Sequence, residues 1–184
     1  MSKCMSIFRQ AYLAIILAIF AVGCGTVIEG FPSHEESSIV VVGDHAPDFT
    51  ATTIDGQSVT LSALQGEEVL LVLFSHECPD CKMFLDDMQA AKAEFDELGV
   101  VILLVARDGE SGESGVVEAY MSENGYEFDV VADPDRAIYN LYATTYVPRA
   151  YLIDKEGYVV YATVEYKPNY VKDILERQKS DSRS

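Results

Sequence analysis

The chain is short of positive charge: thirteen lysines and arginines stand against thirty aspartates and glutamates, a formal charge of −17 over 184 residues. A surface so acidic repels nucleic-acid phosphates and anionic lipid headgroups, which excludes both as electrostatic partners, although it could steer a basic one. Cysteine is scarce too. Cys4 and Cys24 lie near the start, which leaves Cys78 and Cys81 as the pair able to close a disulfide in the remainder. No second cysteine pair follows them, and His34 and His45 stand upstream without ligand spacing, so a structural zinc site lacks its ligands. The uncharged stretch at residues 11–23 falls short of the about twenty residues that a membrane-spanning helix needs. No internal repeat is visible.

What is present begins with an export pattern. Lys3 and Arg9 precede the apolar stretch, and a small residue and Cys24 follow it. The expected organisation is a signal peptide at 1–23, a tether at 24–38, a folded domain at 39–177 and a polar tail at 178–184. An uncleaved anchor helix is the alternative for the first segment. The tether reading rests on Gly30, Pro32 and the charged run at 33–36. Without the signal, 161 residues remain with a formal charge of −19, enough for one domain with a sizeable core.

Cys78 and Cys81 are separated by Pro79 and Asp80 and follow an apolar run at 69–74. That run reads as a strand buried on both faces, whereas Phe84, Met88, Ala91, Phe95 and Leu98 recur at helical spacing up to Gly99. The pair therefore falls where a strand turns into a helix. Pro79 suits the first helical position, which makes Cys78 the N-cap, facing free N–H groups and the positive end of the helix dipole. Such a place favours thiolate, so Cys78 is the expected attacking sulfur and Cys81 the resolving one. An inert structural disulfide here would close almost no loop and restrain the unfolded chain little.

The rest of the chain alternates. A hairpin is expected at 50–54 and 57–61 across Asp55-Gly56, then a helical turn at 61–64. A second buried strand lies at 100–106, a flexible connection at 108–115, a helix with Val116, Val117, Tyr120 and Met121, and a short strand at 128–132. Asp133-Pro134 opens a helix with Ile138, Leu141 and Tyr142, a hairpin spans 150–163, and an amphipathic helix carries Tyr170, Val171, Ile174 and Leu175. Strands alternating with helices and ending in a hairpin imply an α/β mixed sheet with helices on both faces.

Ala21-Val22-Gly23-Cys24 resembles a bacterial lipobox, with Ala21 where Leu is usual; the resemblance implies acylation of Cys24 and an extracytoplasmic, lipid-anchored protein on the periplasmic side. Gly25 lacks the Asp that often retains lipoproteins at the inner membrane. Ala46-Pro47-Asp48-Phe49, Asp55-Gly56, the run at 61–66, the Cys78-Pro79-Asp80-Cys81 motif and Pro148 followed by Tyr151-Leu152-Ile153-Asp154 together resemble the thioredoxin superfamily. The likeness, over about residues 43–174, is to its TlpA/ResA-like branch, which borders the redoxin and AhpC/TSA group. It implies a thioredoxin-like three-layer fold with an N-terminal β-hairpin extension. It also implies a cis bond before Pro148, facing the cysteines and shaping a groove where an extended polypeptide pairs. An ordinary trans proline at an edge strand is the alternative.

The implied activity is that of a disulfide reductase or exchanger. It acts on exported proteins through a redox-active Cys78–Cys81 pair, uses no cofactor and is supplied with electrons by a membrane donor of the DsbD/CcdA type. The departures bear on mechanism: Glu77 replaces an aromatic, and Val72 and Phe84 occupy positions where the family places acids. Proton transfer then falls to water or to Asp80, Glu77, His76 or Lys82. Negative charge from Glu77 and Asp80 beside Cys78 disfavours its thiolate, whereas Lys82 and protonated His76 favour it; a less stable thiolate makes the couple more reducing. Two rival readings remain. Arg149 resembles the arginine with which peroxiredoxins bind peroxide, although Leu71 and Ser75 preserve only half of the peroxidatic pattern. Cys78, Cys81 and His76 could instead hold copper for delivery, since thiolates and imidazole suit that metal.

Overall fold

In the computed structural model, which describes residues 33–107 and 115–181, the chain forms β1 (Thr50–Thr52), β2 (Ser58–Thr60), a 3-10 turn (Leu61–Leu64), β3 (Glu68–Phe74), α1 (Pro79–Ala90), α2 (Lys92–Leu98) and β4 (Val100–Ala106). It continues with α3 (Val116–Asn124), β5 (Asp129–Ala132), α4 (Tyr139–Tyr142), β6 (Arg149–Ile153), β7 (Val159–Val164) and α5 (Tyr170–Asp181). The expected signal peptide, Cys24 and most of the connection at 108–115 lie outside the described residues.

The main sheet has the order β5-β4-β3-β6-β7. β3 pairs parallel with β4 and antiparallel with β6, which makes it the central strand of a mixed sheet. Its apolar sequence follows from that position: every side chain from Val69 to Phe74 is buried, so both faces of the strand are covered. α1, α2 and α5 pack together, and α2 also touches β4. β1 and β2 form a separate hairpin, joined to the edge strand β5 by a Thr53–Val131 bridge and by the Ile54 N–H donating to Val130 O at 2.8 Å. This is the α/β architecture with an N-terminal hairpin that the sequence implies.

Local details differ from expectation. The single helix expected up to Gly99 is two: Ala91, with φ −96° and ψ 1°, interrupts it, and its N–H is shared between Asp87 O and Met88 O. One interrupted residue leaves the apolar face continuous, since Phe84, Met88 and Phe95 all stay buried. Gly99 closes α2 in the left-handed region, φ 70°. The hairpin turn is wider than a two-residue Asp-Gly turn. Thr53 N–H donates to Gln57 O, Gly56 N–H to Thr53 O, and Gly56 takes the left-handed place of a three-residue loop. The helix after Asp133 is cut to four residues because the buried Asp133 carboxylate accepts from Ile138 N–H (3.1 Å) and Tyr139 N–H (2.8 Å) and caps α4 late.

Both margins of the domain extend beyond the expected limits. Residues 33–38, read above as the end of the tether, form a turn in which Ser33 and Glu36 exchange backbone-to-side-chain hydrogen bonds and Ser37 is fully buried. At the other margin α5 runs through Asp181, and Gln178, in the expected tail, is buried.

Candidate active site

The topology brings three segments to one edge of the sheet. β3 and β4 are parallel, so the loop at 75–78 and Arg107 leave it side by side, with Arg107 N–H donating to Phe74 O at 2.9 Å. β6 enters at the same edge, because Arg149 pairs with Leu73, and the preceding residues 145–148 lie beside the loop. The carboxyl ends of parallel strands are where α/β sheets collect ligand-binding residues.

Cys78 is the N-cap of α1 in extended geometry (φ −90°, ψ 115°), with Pro79 at the first helical position, as the sequence indicates. Its Sγ accepts from Cys81 N–H at 3.4 Å and lies 3.7 Å from Val147 O, to which the thiol donates. Cys81 is one turn inside and fully buried; its Sγ accepts from Ser75 N–H at 3.5 Å. Both are free thiols, the outer one half-buried. Burial, followed by the hydrogen bond with Cys78, pushes the Cys81 thiol far above its ordinary pKa, against smaller opposing effects of the Ser75 N–H and the Arg107 charge. Cys81 is therefore protonated at neutral pH in the dithiol form.

A groove runs past the outer sulfur, lined by Ser75, Glu77, Cys78, Arg107, Thr145, Tyr146 and Val147. The Val147–Pro148 bond is cis, and Pro148 itself is buried. Tyr146 is in the left-handed region (φ 67°), a conformation uncommon for a bulky residue. Its carbonyl is pinned there by the Tyr139 hydroxyl at 2.9 Å and by Arg149 Nε at 3.3 Å.

The proposed auxiliary residues are not all directed at the sulfurs. Lys82 donates to both oxygens of Asp86 at 2.9 Å, an exposed i,i+4 pair on α1. Asp80 and Glu77 are exposed, Glu77 N–H donating to Ser75 Oγ at 3.3 Å. His76 is half-buried and meets Tyr120 edge-on, with ring centroids 6.1 Å apart. Val72 and Phe84 are buried, and Phe84 packs against Tyr166. Tyr120, which the sequence suggested only as a helix-face residue, also stacks on Phe74 and carries a buried hydroxyl with no hydrogen-bond partner among the described residues. Burial raises its pKa more than the neighbouring Tyr126 hydroxyl lowers it. Tyr126 in turn donates to Asp86 at 2.6 Å and, ahead of Lys82, holds that carboxyl below its usual range.

Arg149 departs from its expected role as a peroxide ligand. It is fully buried and has no carboxylate partner among the described residues. Its guanidinium donates to Thr145 O (2.8 and 3.1 Å), Tyr146 O, Ser37 O (3.2 Å), Ser37 Oγ (2.5 Å) and Ser38 Oγ (2.8 Å). All three guanidinium nitrogens are thus engaged in joining the first described segment to the groove wall. Among the described residues no group of three His, Cys, Asp or Glu side chains could hold a metal ion, and Cys78, Cys81 and His76 form none. Arg107 went unnoticed in the sequence; its place at the carboxyl end of a parallel strand was the available signal.

Comparison with known proteins gives the chemistry a context. Residues 42–162 match the AhpC/TSA family. The thiol-disulfide oxidoreductase ResA of Geobacillus kaustophilus is 33% identical over 153 residues, spanning 83% of this chain and 83% of that protein. ResA of Oceanobacillus iheyensis is 30% identical over 183 residues, spanning 94% and 90%. Among solved structures, a Chlorobium tepidum protein described as a candidate thiol:disulfide interchange protein DsbE superposes with a TM-score of 0.68 at 28% identity. That match covers 79% of this chain and 99% of that one.

Proposed function

The chain belongs to the AhpC/TSA family and is a thiol-disulfide oxidoreductase of the TlpA/ResA-like branch of the thioredoxin superfamily, and we propose that its activity runs through Cys78 and Cys81 on disulfides of exported proteins. The observation that carries this reading is the asymmetry of the two sulfurs, one facing a groove and the other sealed behind it. Cys78, as thiolate, attacks one sulfur of a substrate disulfide; the S–S bond breaks as a mixed disulfide forms, and the departing substrate sulfur takes a proton. The Cys81 thiol then loses its proton, its sulfur attacks Cys78, and the second substrate thiol leaves. Two electrons and two protons have passed to the substrate, and the protein holds a Cys78–Cys81 disulfide.

The raised pKa of Cys81 fits this order, because a protonated inner thiol does not compete as the first nucleophile. Resolution requires its deprotonation in the mixed disulfide, where water, Glu77, Asp80 or His76 are the available acceptors. The Val147 carbonyl beside the outer sulfur offers an extended substrate main chain a place to pair next to Pro148.

A membrane electron donor of the DsbD/CcdA type would return the pair to the dithiol. The lipobox-like sequence at Cys24 supports anchoring outside the cytoplasm; among the described residues no helix is long and apolar enough to cross a membrane. The Cys81→Ser variant tests the cycle: substrates accumulate as mixed disulfides on Cys78, and recovery of none from the native envelope sinks the proposal. The peroxidase reading is less well supported, since the Arg149 donors are already engaged. Hydrogen peroxide consumption with a thiol reductant, at rates exceeding disulfide exchange, would restore it.

A further inference from the structure

The groove beside Cys78 contains one cation among its lining residues, Arg107. Its guanidinium carbon lies 4.8 Å from the Tyr139 ring centroid, and the Tyr139 hydroxyl holds the Tyr146 carbonyl in the groove wall. A continuous set of contacts thus fixes the cation relative to the carbonyl of Val147 and the sulfur of Cys78. Lys82, Lys92, Lys172 and Lys179 are paired with acids; among the described residues Arg107 has no carboxylate partner. In a chain with an acidic excess of seventeen charges, long-range attraction draws basic partners, and an acidic segment can be held only by a local cation. A guanidinium already stacked on an aromatic face loses little freedom on pairing and presents a planar fork matched to a carboxylate.

We propose that Arg107 is a specificity-determining residue of the exchange reaction, receiving a carboxylate next to the target cysteine so that disulfides with an acidic flank are reduced in preference to those with a basic one. The inference rests on the exchange reading of Cys78. A cation that acted on the sulfurs alone would change the rate of every substrate alike. A cation that binds substrate changes the ratio between substrates, and the ratio is what the experiment reads.

The full chain in its dithiol form is presented with disulfide-linked peptides identical except for Asp, Ala or Lys on either side of the cysteine. The second-order rate of reduction is measured for each. Asp peptides react about fivefold faster than Lys peptides at low ionic strength, the upper range for a half-exposed ion pair. Arg107→Lys, which keeps the charge but loses the planar fork and its stacking on Tyr139, lowers the preference without abolishing it; Arg107→Gln brings the ratio within about twofold of unity. Equal rates for all peptides in the wild type, or the same preference in Arg107→Gln, overturns the assignment. Failure to reduce any peptide overturns the exchange reading, and this inference with it.

Discussion

Replacing Arg149 with Met removes the buried guanidinium while keeping most of the side-chain length. Thr145 O then loses both of its donors, whereas Ser37 O keeps the Thr144 N–H and Tyr146 O keeps the Tyr139 hydroxyl. One stranded carbonyl costs about 1–3 kcal/mol, and loss of the charge-assisted bonds to the Ser37 and Ser38 hydroxyls adds about 1.5–3 kcal/mol each before compensation. Relief of a desolvated cation that has no carboxylate partner among the described residues offsets several kcal/mol of that total. The balance is a destabilisation of about 3 kcal/mol, a fall in Tm of about 6–12 °C for a domain of this size. Urea unfolding read by circular dichroism measures it, with the m-value showing whether the transition stays two-state. Ser37→Ala closes a double-mutant cycle, and the two changes are non-additive if the contact is energetic. A variant as stable as the wild type, or more so, would show that desolvation outweighs the hydrogen bonds and would refute the clamp as a stabilising device.

Other outcomes follow from the same geometry. In the dithiol form, iodoacetamide at pH 8 modifies Cys78 and leaves Cys81 intact, as peptide mapping would show; equal labelling contradicts the burial of the inner sulfur. Because the folded pKa of Cys81 is raised, its stabilising contribution is complete below the unfolded value of about 8.5 and falls as pH rises beyond it, by at most about 1.4 kcal/mol per pH unit. The difference in stability between wild type and Cys81→Ala therefore narrows above that pH, and a constant difference would count against the shift. Asp133→Ala strands the Ile138 and Tyr139 N–H groups and costs about 2 kcal/mol in thermal unfolding; a loss under about 0.5 kcal/mol would mean that α4 finds another cap. Titration of the pair against glutathione places its potential nearer thioredoxin than the strongly oxidising enzymes, and a value above about −150 mV contradicts that.

The sulfur pair was legible because its determinants are local. A proline after Cys78, an apolar strand before it and helical spacing after it fix the N-cap without any distant contact. The sheet was legible for a similar reason, since strands buried on both faces announce themselves as unbroken apolar runs. The break at Ala91 left no trace, because neither glycine nor proline marks it and the apolar face continues across it. Arg149 was misread for the opposite reason: an arginine in an apolar strand looks like a ligand-binding group. Its true partners, Ser37 and Ser38, lie over a hundred positions away in a stretch whose polarity resembles a linker. The groove depends on Arg107, Tyr139 and Tyr146, which no spacing rule links and which only the strand order brings together.

The concealment of Cys81 also governs what happens when a small oxidant arrives instead of a protein. Hydrogen peroxide meets the outer sulfur first and turns it into a sulfenic acid. The thiol waiting behind can condense with that group, expelling water, in competition with the second oxidising equivalent that drives it to the irreversible acids. The product is the disulfide that the proposed cycle generates, so an accidental injury would re-enter that cycle and be mended by whatever reductant recharges the site.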